Sequence, residues 1–101
     1  MAITRGATIT NIFTVEEDFT SAVECYVTYN QNGRTVLEKD IDEVTIASDS
    51  ISVDMSQEDT LRFVENRPVE IQIRIKMADQ AALVSKIIRT TASELLKEGV
   101  I

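Results

Sequence analysis

The sequence predicts a mainly β protein, a single antiparallel β-sandwich domain of about seven strands over residues 1–101. The run from Val69 to Met77 alternates strictly between apolar and polar residues, which is typical of a strand with one buried and one solvated face. Turn-forming residues recur about every 8–12 residues, as in small sandwiches. A chain of 101 residues with 44% hydrophobic residues is large enough for one core and too small for two.

The first half of the chain alternates in the same way over shorter runs. In the second of these runs the pattern places Val23, Cys25, Val27 and Tyr29 on the inner face. The Asn32-Gly33 pair that follows is a strong hairpin signal, because both residues tolerate positive φ. The strands predicted here are residues 8–14, 22–29, 35–40, 43–47 and 50–55.

The second half contains one helix signal and two further strands. Ser56 and Asp59 form a capping pattern, which predicts a short helix near 57–63 with Leu61 and Phe63 turned inward. Pro68 is tolerated as the first residue of a strand over 69–77. A last strand is expected over 82–91, although its mixed pattern gives no inward face. Residues 93–98 predict a short C-terminal helix ended by Gly99.

The chain ends are expected to behave differently from the sandwich. Residues 1–7 are polar and predict an N-terminal arm or a short edge strand, and residues 92–101 predict a C-terminal tail. Both ends are candidate contact elements, and the alternative is that they are bound to the domain itself.

Charge and composition exclude several partners. The formal net charge is −7, and an acidic surface repels phosphate, so nucleic acid is not expected as a partner. No apolar run approaches the roughly 20 residues that span a bilayer, so no membrane partner is expected either. Cys25 is the single cysteine, and no signal segment follows the first residue. We therefore expect a soluble domain made in a reducing cytoplasm.

The residue types needed for catalysis are scarce. The sequence has no histidine, so a thiol at Cys25 lacks its usual activating partner, and no cofactor is expected. The three glycines are isolated and form no phosphate-binding loop. Two acidic clusters, residues 16–18 and 40–43, lack the spacing of a calcium loop and are interpreted as solvated turns. The sequence thus predicts a protein that is not an enzyme and has no metal site.

Three residues are candidates for protein contacts. Tyr26 lies on the polar face of its predicted strand, and tyrosine is favoured at interface hot spots. An exposed residue that merely pairs across the strands is the alternative for this side chain. Val100 and Ile101 give the tail an apolar end.

Five short pieces of the chain, taken in order, carry a resemblance to a known family. They are Thr4-Arg5-Gly6-Ala7-Thr8, Tyr26-Val27-Thr28-Tyr29 with Asn32-Gly33, Ser56-Gln57-Glu58-Asp59-Thr60-Leu61-Arg62-Phe63, Val69-Glu70-Ile71-Gln72-Ile73-Arg74 and the ending Leu95-Leu96-Lys97-Glu98-Gly99-Val100-Ile101. Together they resemble the immunoglobulin-like N-terminal domain of baseplate upper proteins from phages of Gram-positive bacteria. The resemblance implies an immunoglobulin-like sandwich, made in the bacterial cytoplasm, that works by protein contacts in a phage tail or baseplate, and no catalytic residue is carried over. Because the chain ends just after the domain, a free-standing component is expected.

Two functions are expected from these observations. The first is a non-enzymatic assembly subunit of a phage or prophage tail or baseplate, a virion component that binds other tail or baseplate proteins or copies of itself. The alternative is a monomeric ligand- or carbohydrate-binding module assisted by calcium at its acidic loops. A hydrolase is disfavoured, since five aromatic residues without tryptophan make a poor aromatic-lined cleft.

Overall fold

The computed structural model describes residues 2–101, which form two antiparallel β-sheets packed face to face. The smaller sheet has the strand order β1-β5-β4. The larger has the order β3-β2-β6-β7, and β8 also pairs with β6. The elements are β1 Ile9–Thr14, β2 Ala22–Gln31, β3 Arg34–Lys39, a 3-10 helix Ile41–Glu43, β4 Val44–Ile46, β5 Ser50–Met55, α1 Gln57–Leu61, β6 Pro68–Met77, β7 Ala82–Val84 and β8 Ile88–Thr91.

The core lies between the two sheets and follows the alternation of the long strands. On β6 the inward residues Val69, Ile71, Ile73 and Ile75 are all buried, as the sequence pattern predicts. On β5 the buried set is Ile51, Val53 and Met55, which face them from the smaller sheet. Burial of such side chains contributes roughly 1.5–3 kcal/mol each, so these two strands supply a large part of the apolar contribution to stability.

Tyr29 joins the two layers by both packing and hydrogen bonding. Its ring meets Phe63 edge to face, with ring centroids 5.9 Å apart and an interplanar angle of 76°. Its hydroxyl donates a 2.8 Å hydrogen bond to Oδ1 of Asn11 on β1, a residue that is 4% exposed. The hydroxyl is therefore satisfied inside the core, and the same burial raises the pKa of Tyr29.

The helix α1 begins as the sequence predicts. Oγ of Ser56 accepts from the amide of Asp59, and the Asp59 carboxylate accepts from the amide of Ser56, which is a complete capping box. Phe63 is buried as expected, whereas Leu61 is half-buried. Thr60, which the sequence did not single out, is fully buried, and its hydroxyl donates to the carbonyl of Ala7.

Two strand predictions need correction. Residues 82–91 form two short strands, not one. The strand is interrupted at Ser85, because the Ser85 hydroxyl takes the place of a backbone acceptor and accepts a 2.9 Å hydrogen bond from the Ile73 amide. Val23 is 49% exposed and does not lie on the inner face. It is the extra residue of a bulge, since Ala22 pairs with Met77 while Glu24 already pairs with Lys76. The strand count is eight among the described residues.

The predicted C-terminal helix is wrong, because tertiary contacts hold residues 93–98 in an irregular extended path. The Ser93 amide donates to the carbonyl of Ile3, and Ile3 is fully buried beside Ala92 in a parallel bridge. Arg5 donates to the Phe63 carbonyl at 2.7 Å and pairs with Glu98 at 2.9 Å. Of the predicted arm, residue 1 lies outside the described residues, and residues 2–7 lie against the domain beside the tail.

The described helices are short. Within residues 2–101, none is long and apolar enough to cross a membrane.

Candidate interaction surface

Tyr26 lies on the outer face of the larger sheet, in a row that crosses three strands. It stands opposite Arg74 on β6, and Arg74 stands opposite Val84 on β7. Tyr26 is 41% exposed and Val84 is 58% exposed. Arg74 forms no ion pair in the described part of the chain. The row therefore presents an aromatic ring, a guanidinium group and an aliphatic side chain side by side.

Further apolar side chains are exposed along the β7 edge. Leu83 stands opposite the buried Ile75, so it lies on the inner face of the sheet at the rim of the sandwich, whereas Val84 lies on the outer face. Leu83 on β7 and Ile87 in the break before β8 are 39% and 44% exposed. Beneath Leu83 an apolar cleft of about 190 Å³ opens between the two sheets. Its walls include Val15 and Phe19 from the loop after β1. We call Tyr26, Arg74, Leu83, Val84 and Ile87 the β7 surface.

Val100 and Ile101 are exposed, but the structure does not bring them together with Tyr26. They lie beside α1, where the Gln57 side chain accepts from the Ile101 amide at 2.9 Å and donates to its carbonyl at 3.3 Å. The two side chains remain 56% and 91% exposed. The three residues singled out from the sequence thus belong to two separate places.

The acidic clusters use their carboxylates to bind the backbone. Asp40 caps the 3-10 helix by accepting from the Asp42 amide, and Glu43 accepts from the Asp40 amide in return. Asp18 accepts from both the amide and the hydroxyl of Thr20, and these hydrogen bonds lower the pKa of Asp18. Residues 2–101 contain no group of three histidine, cysteine or acidic side chains arranged to hold a metal ion.

Cys25 is 1% exposed in the core, where burial raises the pKa of its thiol. A buried thiol with a raised pKa is a poor nucleophile. This placement agrees with the structural role that its position on the inner face of β2 indicates.

Sequence reasoning missed Leu83, Val84 and Ile87 as surface residues. The signal was present in the mixed pattern of 82–91, where apolar residues stand next to each other and cannot all face one core. Adjacent apolar residues on an edge strand therefore indicate a contact surface.

Comparison with known proteins gives a fold relationship. No protein-family model and no curated protein matches the sequence. Among solved structures, the chain is similar to the immunoglobulin-like domain of mouse leukocyte-associated immunoglobulin-like receptor 1, crystallised as a strand-swapped dimer. The TM-score is 0.50 at 12% identity, over 93% of this chain and 88% of that one.

The fold is immunoglobulin-like. The order β1-β5-β4 corresponds to immunoglobulin strands B, E and D, and the order β3-β2-β6 followed by β7 and β8 corresponds to C′, C, F and G. In that arrangement strand A lies beside strand B. Here the described part of the segment before β1, residues 2–8, makes a single bridge, Ile3 to Ala92, with the other sheet. The outer edge of β1 therefore has no strand beside it in residues 2–101.

Proposed function

We propose that this protein is a non-enzymatic assembly subunit of a phage or prophage tail or baseplate, made in the bacterial cytoplasm and incorporated into the virion. The observation that carries the assembly role is the β7 surface, where exposed apolar side chains lie along an unpaired strand edge. The phage setting is supported by the short pieces of sequence that resemble the N-terminal domain of baseplate upper proteins.

The composition of the β7 surface favours a protein partner. Tyrosine and arginine are enriched among the residues that contribute most to protein interfaces, and Tyr26 and Arg74 are adjacent here. Exposed apolar residues on an edge strand are otherwise a liability for aggregation, which a partner would remove by covering them. We therefore propose that another tail or baseplate protein docks on this surface.

The experiment is complementation of a phage from which the gene has been deleted. The wild-type chain should restore infectious particles, and Val84→Lys should reduce their yield at least tenfold because it places a charge in the contact. Val23→Lys is the matched control, since Val23 is also an exposed valine on a strand but lies outside the β7 surface. Equal yields from Val84→Lys and the wild type would reject this surface as the contact.

A calcium-assisted, carbohydrate-binding monomer is the second candidate, and we rank it lower. The carboxylates of Asp40 and Glu43 accept hydrogen bonds from backbone amides, which stabilises the turn without a cation. If calcium bound the acidic loops of the folded state, it would raise the melting temperature by mass action. We expect no rise when calcium replaces magnesium at equal ionic strength.

A further inference from the structure

The outer edge of β1 lacks the features by which proteins usually protect a strand edge. Charged residues, proline, bulges and short length are the common protections against pairing with another chain. The strand Ile9–Thr14 has six residues with no charge and no proline, and its register with β5 runs without interruption from Ile9 to Thr14. Its outer side has no β partner in residues 2–101. It is an edge open to strand addition.

In residues 2–101 the backbone edge of every other outer strand has at least one of these protections. This includes the edge of β7, whose exposed apolar side chains form a surface beside a strand that is too short for extended pairing. The β3 edge carries Arg34, Glu38 and Lys39, and its pairing with β2 is shifted by a bulge. The β4 edge is three residues long. The β7 and β8 edges are three and four residues long and are separated by the break at Ser85. Protection against strand addition is thus missing on β1 in particular, which indicates that this edge pairs with a strand of another chain.

The backbone of β1 shows which residues would pair with an added strand. The Val15 amide donates to the carbonyl of Asp49 at 2.9 Å, in register with the β1–β5 pairing. Backbone groups point alternately to the two sides of a strand, so the odd-numbered residues of β1 bond to β5. The amide and carbonyl groups of Thr10, Ile12 and Thr14 therefore point to the open edge.

The same three residues form a self-complementary set. Their side chains lie exposed on the outer face of the sheet, and Ile12 is 61% exposed at the centre of the strand. The order Thr-x-Ile-x-Thr reads the same in both directions. An antiparallel copy centred on Ile12 would place isoleucine beside isoleucine, a favourable cross-strand pair, and each threonine beside a threonine. The Thr10 hydroxyl donates to Oδ1 of Asp54 on β5 at 2.6 Å, so the central isoleucine pair is the main side-chain contribution.

We propose that two copies of this chain pair through their β1 edges, antiparallel and in the register that sets Ile12 opposite Ile12. Such pairing would form about six backbone hydrogen bonds, two at each of the three residue pairs. It would join the two smaller sheets into one, with the strand order β4-β5-β1-β1-β5-β4. The second copy would occupy the position beside β1 that strand A takes in immunoglobulin domains. The symmetry is two-fold, the commonest in homo-oligomers.

This proposal deepens the proposed function by naming a second copy as one partner, yet its test needs no phage protein. A pairing of two short strands buries little surface, so we expect a weak dimer, half-formed on the order of 100 µM. Failure of the test below would remove the β1 dimer and leave the complementation result unaffected. Failure of complementation would remove the assembly role and leave the dimer.

Disulfide trapping tests both the contact and its register. With Ile12→Cys, the two cysteines would be opposite each other with Cα atoms about 5.5 Å apart, within disulfide range. At 100 µM under mild oxidation, we expect most of this variant to become a covalent dimer. Thr10→Cys and Thr14→Cys should each stay monomeric alone and cross-link when mixed, because the register sets residue 10 opposite residue 14. Cys25 is buried and does not compete.

Two outcomes would overturn the proposal. One is Ile12→Cys remaining monomeric at the same concentration. The other is Thr10→Cys cross-linking alone as readily as in the mixture. Light scattering of the unmodified protein gives a second measurement, in which the mass should rise from 11.3 kDa toward twice that value with concentration. Ile12→Lys should abolish the rise and Val23→Lys should not. Persistence of the rise in Ile12→Lys would also contradict the proposal.

Discussion

At the scale of single residues, the hydrogen bond between Tyr29 and Asn11 is the polar link between the two sheets. Both groups are buried, so each depends on the other for its hydrogen bond. Losing one partner leaves the other unsatisfied, which costs more than the bond itself contributes.

We therefore expect Tyr29→Phe to destabilise the fold by about 1–2 kcal/mol, since it leaves Oδ1 of Asn11 buried without a donor. Tyr26→Phe is the matched control, because Tyr26 is 41% exposed, and should change stability by less than about 0.5 kcal/mol. Urea denaturation at neutral pH measures both. Equal stability of Tyr29→Phe and the wild type would show that this hydrogen bond makes no net contribution to the free energy of unfolding.

Asp59 is the acidic residue with the most interactions at the start of α1. Burial raises its pKa, but hydrogen bonds from the Lys39 ammonium at 2.9 Å and the Ser56 amide at 3.0 Å outweigh burial. The net effect holds its pKa below the ordinary value of 3.8. A carboxyl with a depressed pKa stabilises the fold above its unfolded-state pKa, and this contribution is lost as the pH falls through the folded-state pKa.

We expect Asp59→Asn to cost about 1–2 kcal/mol at pH 7, because it removes the charged partner of Lys39 and replaces a charge-assisted acceptor of the Ser56 amide by a neutral one. The difference from the wild type should shrink as the pH falls below 3.8, because the wild-type carboxyl is then increasingly protonated. Denaturation curves at pH 7, 5 and 3 measure this. A difference that stays constant over that range would mean that the charge of Asp59 does not contribute.

At the scale of elements, the β2–β3 hairpin depends on its two-residue turn. Asn32 has φ +52° and Gly33 has φ +74°, so both central residues are left-handed, as a type I′ turn requires. An added Cβ at Gly33 would meet nothing within 4 Å, so a substitution there is strained by its backbone conformation alone.

Gly33→Ala should therefore destabilise the protein by about 1 kcal/mol, the cost of a left-handed conformation for an L-residue. Asn32→Gly, which relieves the same constraint at the neighbouring position, should change stability by less than about 0.5 kcal/mol. Thermal or urea unfolding of the two variants makes the comparison. A loss well above 2 kcal/mol for Gly33→Ala would mean that this turn contributes more than conformational strain.

The sequence predicts correctly the elements that depend on local pattern alone. Strand β6 is recognised by its alternation of apolar and polar residues, which needs only one buried face. The β2–β3 hairpin is recognised by its Asn32-Gly33 turn. The position of Val23 could not be predicted, because it depends on the register with β6, a strand distant in sequence. The break at Ser85 could not be predicted either, because it depends on a hydrogen bond from the Ile73 amide to the Ser85 side chain, which alternation does not reveal. The C-terminal segment has helical propensity, but its contacts with Ile3 and Arg5 override it.

The candidate surface was predictable only in part for the same reason. Alternation along β2 places Tyr26 on the outer face, and the structure agrees. Exposure of Val84 and Ile87 depends on which strand ends a sheet, and that follows from the topology of the whole domain.

At the scale of the whole molecule, the fold leaves two sides open to partners. The β7 surface lies on the larger sheet, and the β1 edge belongs to the smaller one. If both proposals hold, the chain would bind a copy of itself on one side and another protein on the other at the same time. This is the property that an assembly subunit requires.

Mass spectrometry of purified phage particles produced by the organism that encodes this chain tests the central claim most directly. If the protein is a tail or baseplate subunit, it should be found in intact particles at a fixed ratio to the tail proteins, and the ratio should survive a wash in high salt. Particles with full infectivity that contain none of this chain would contradict the proposed function.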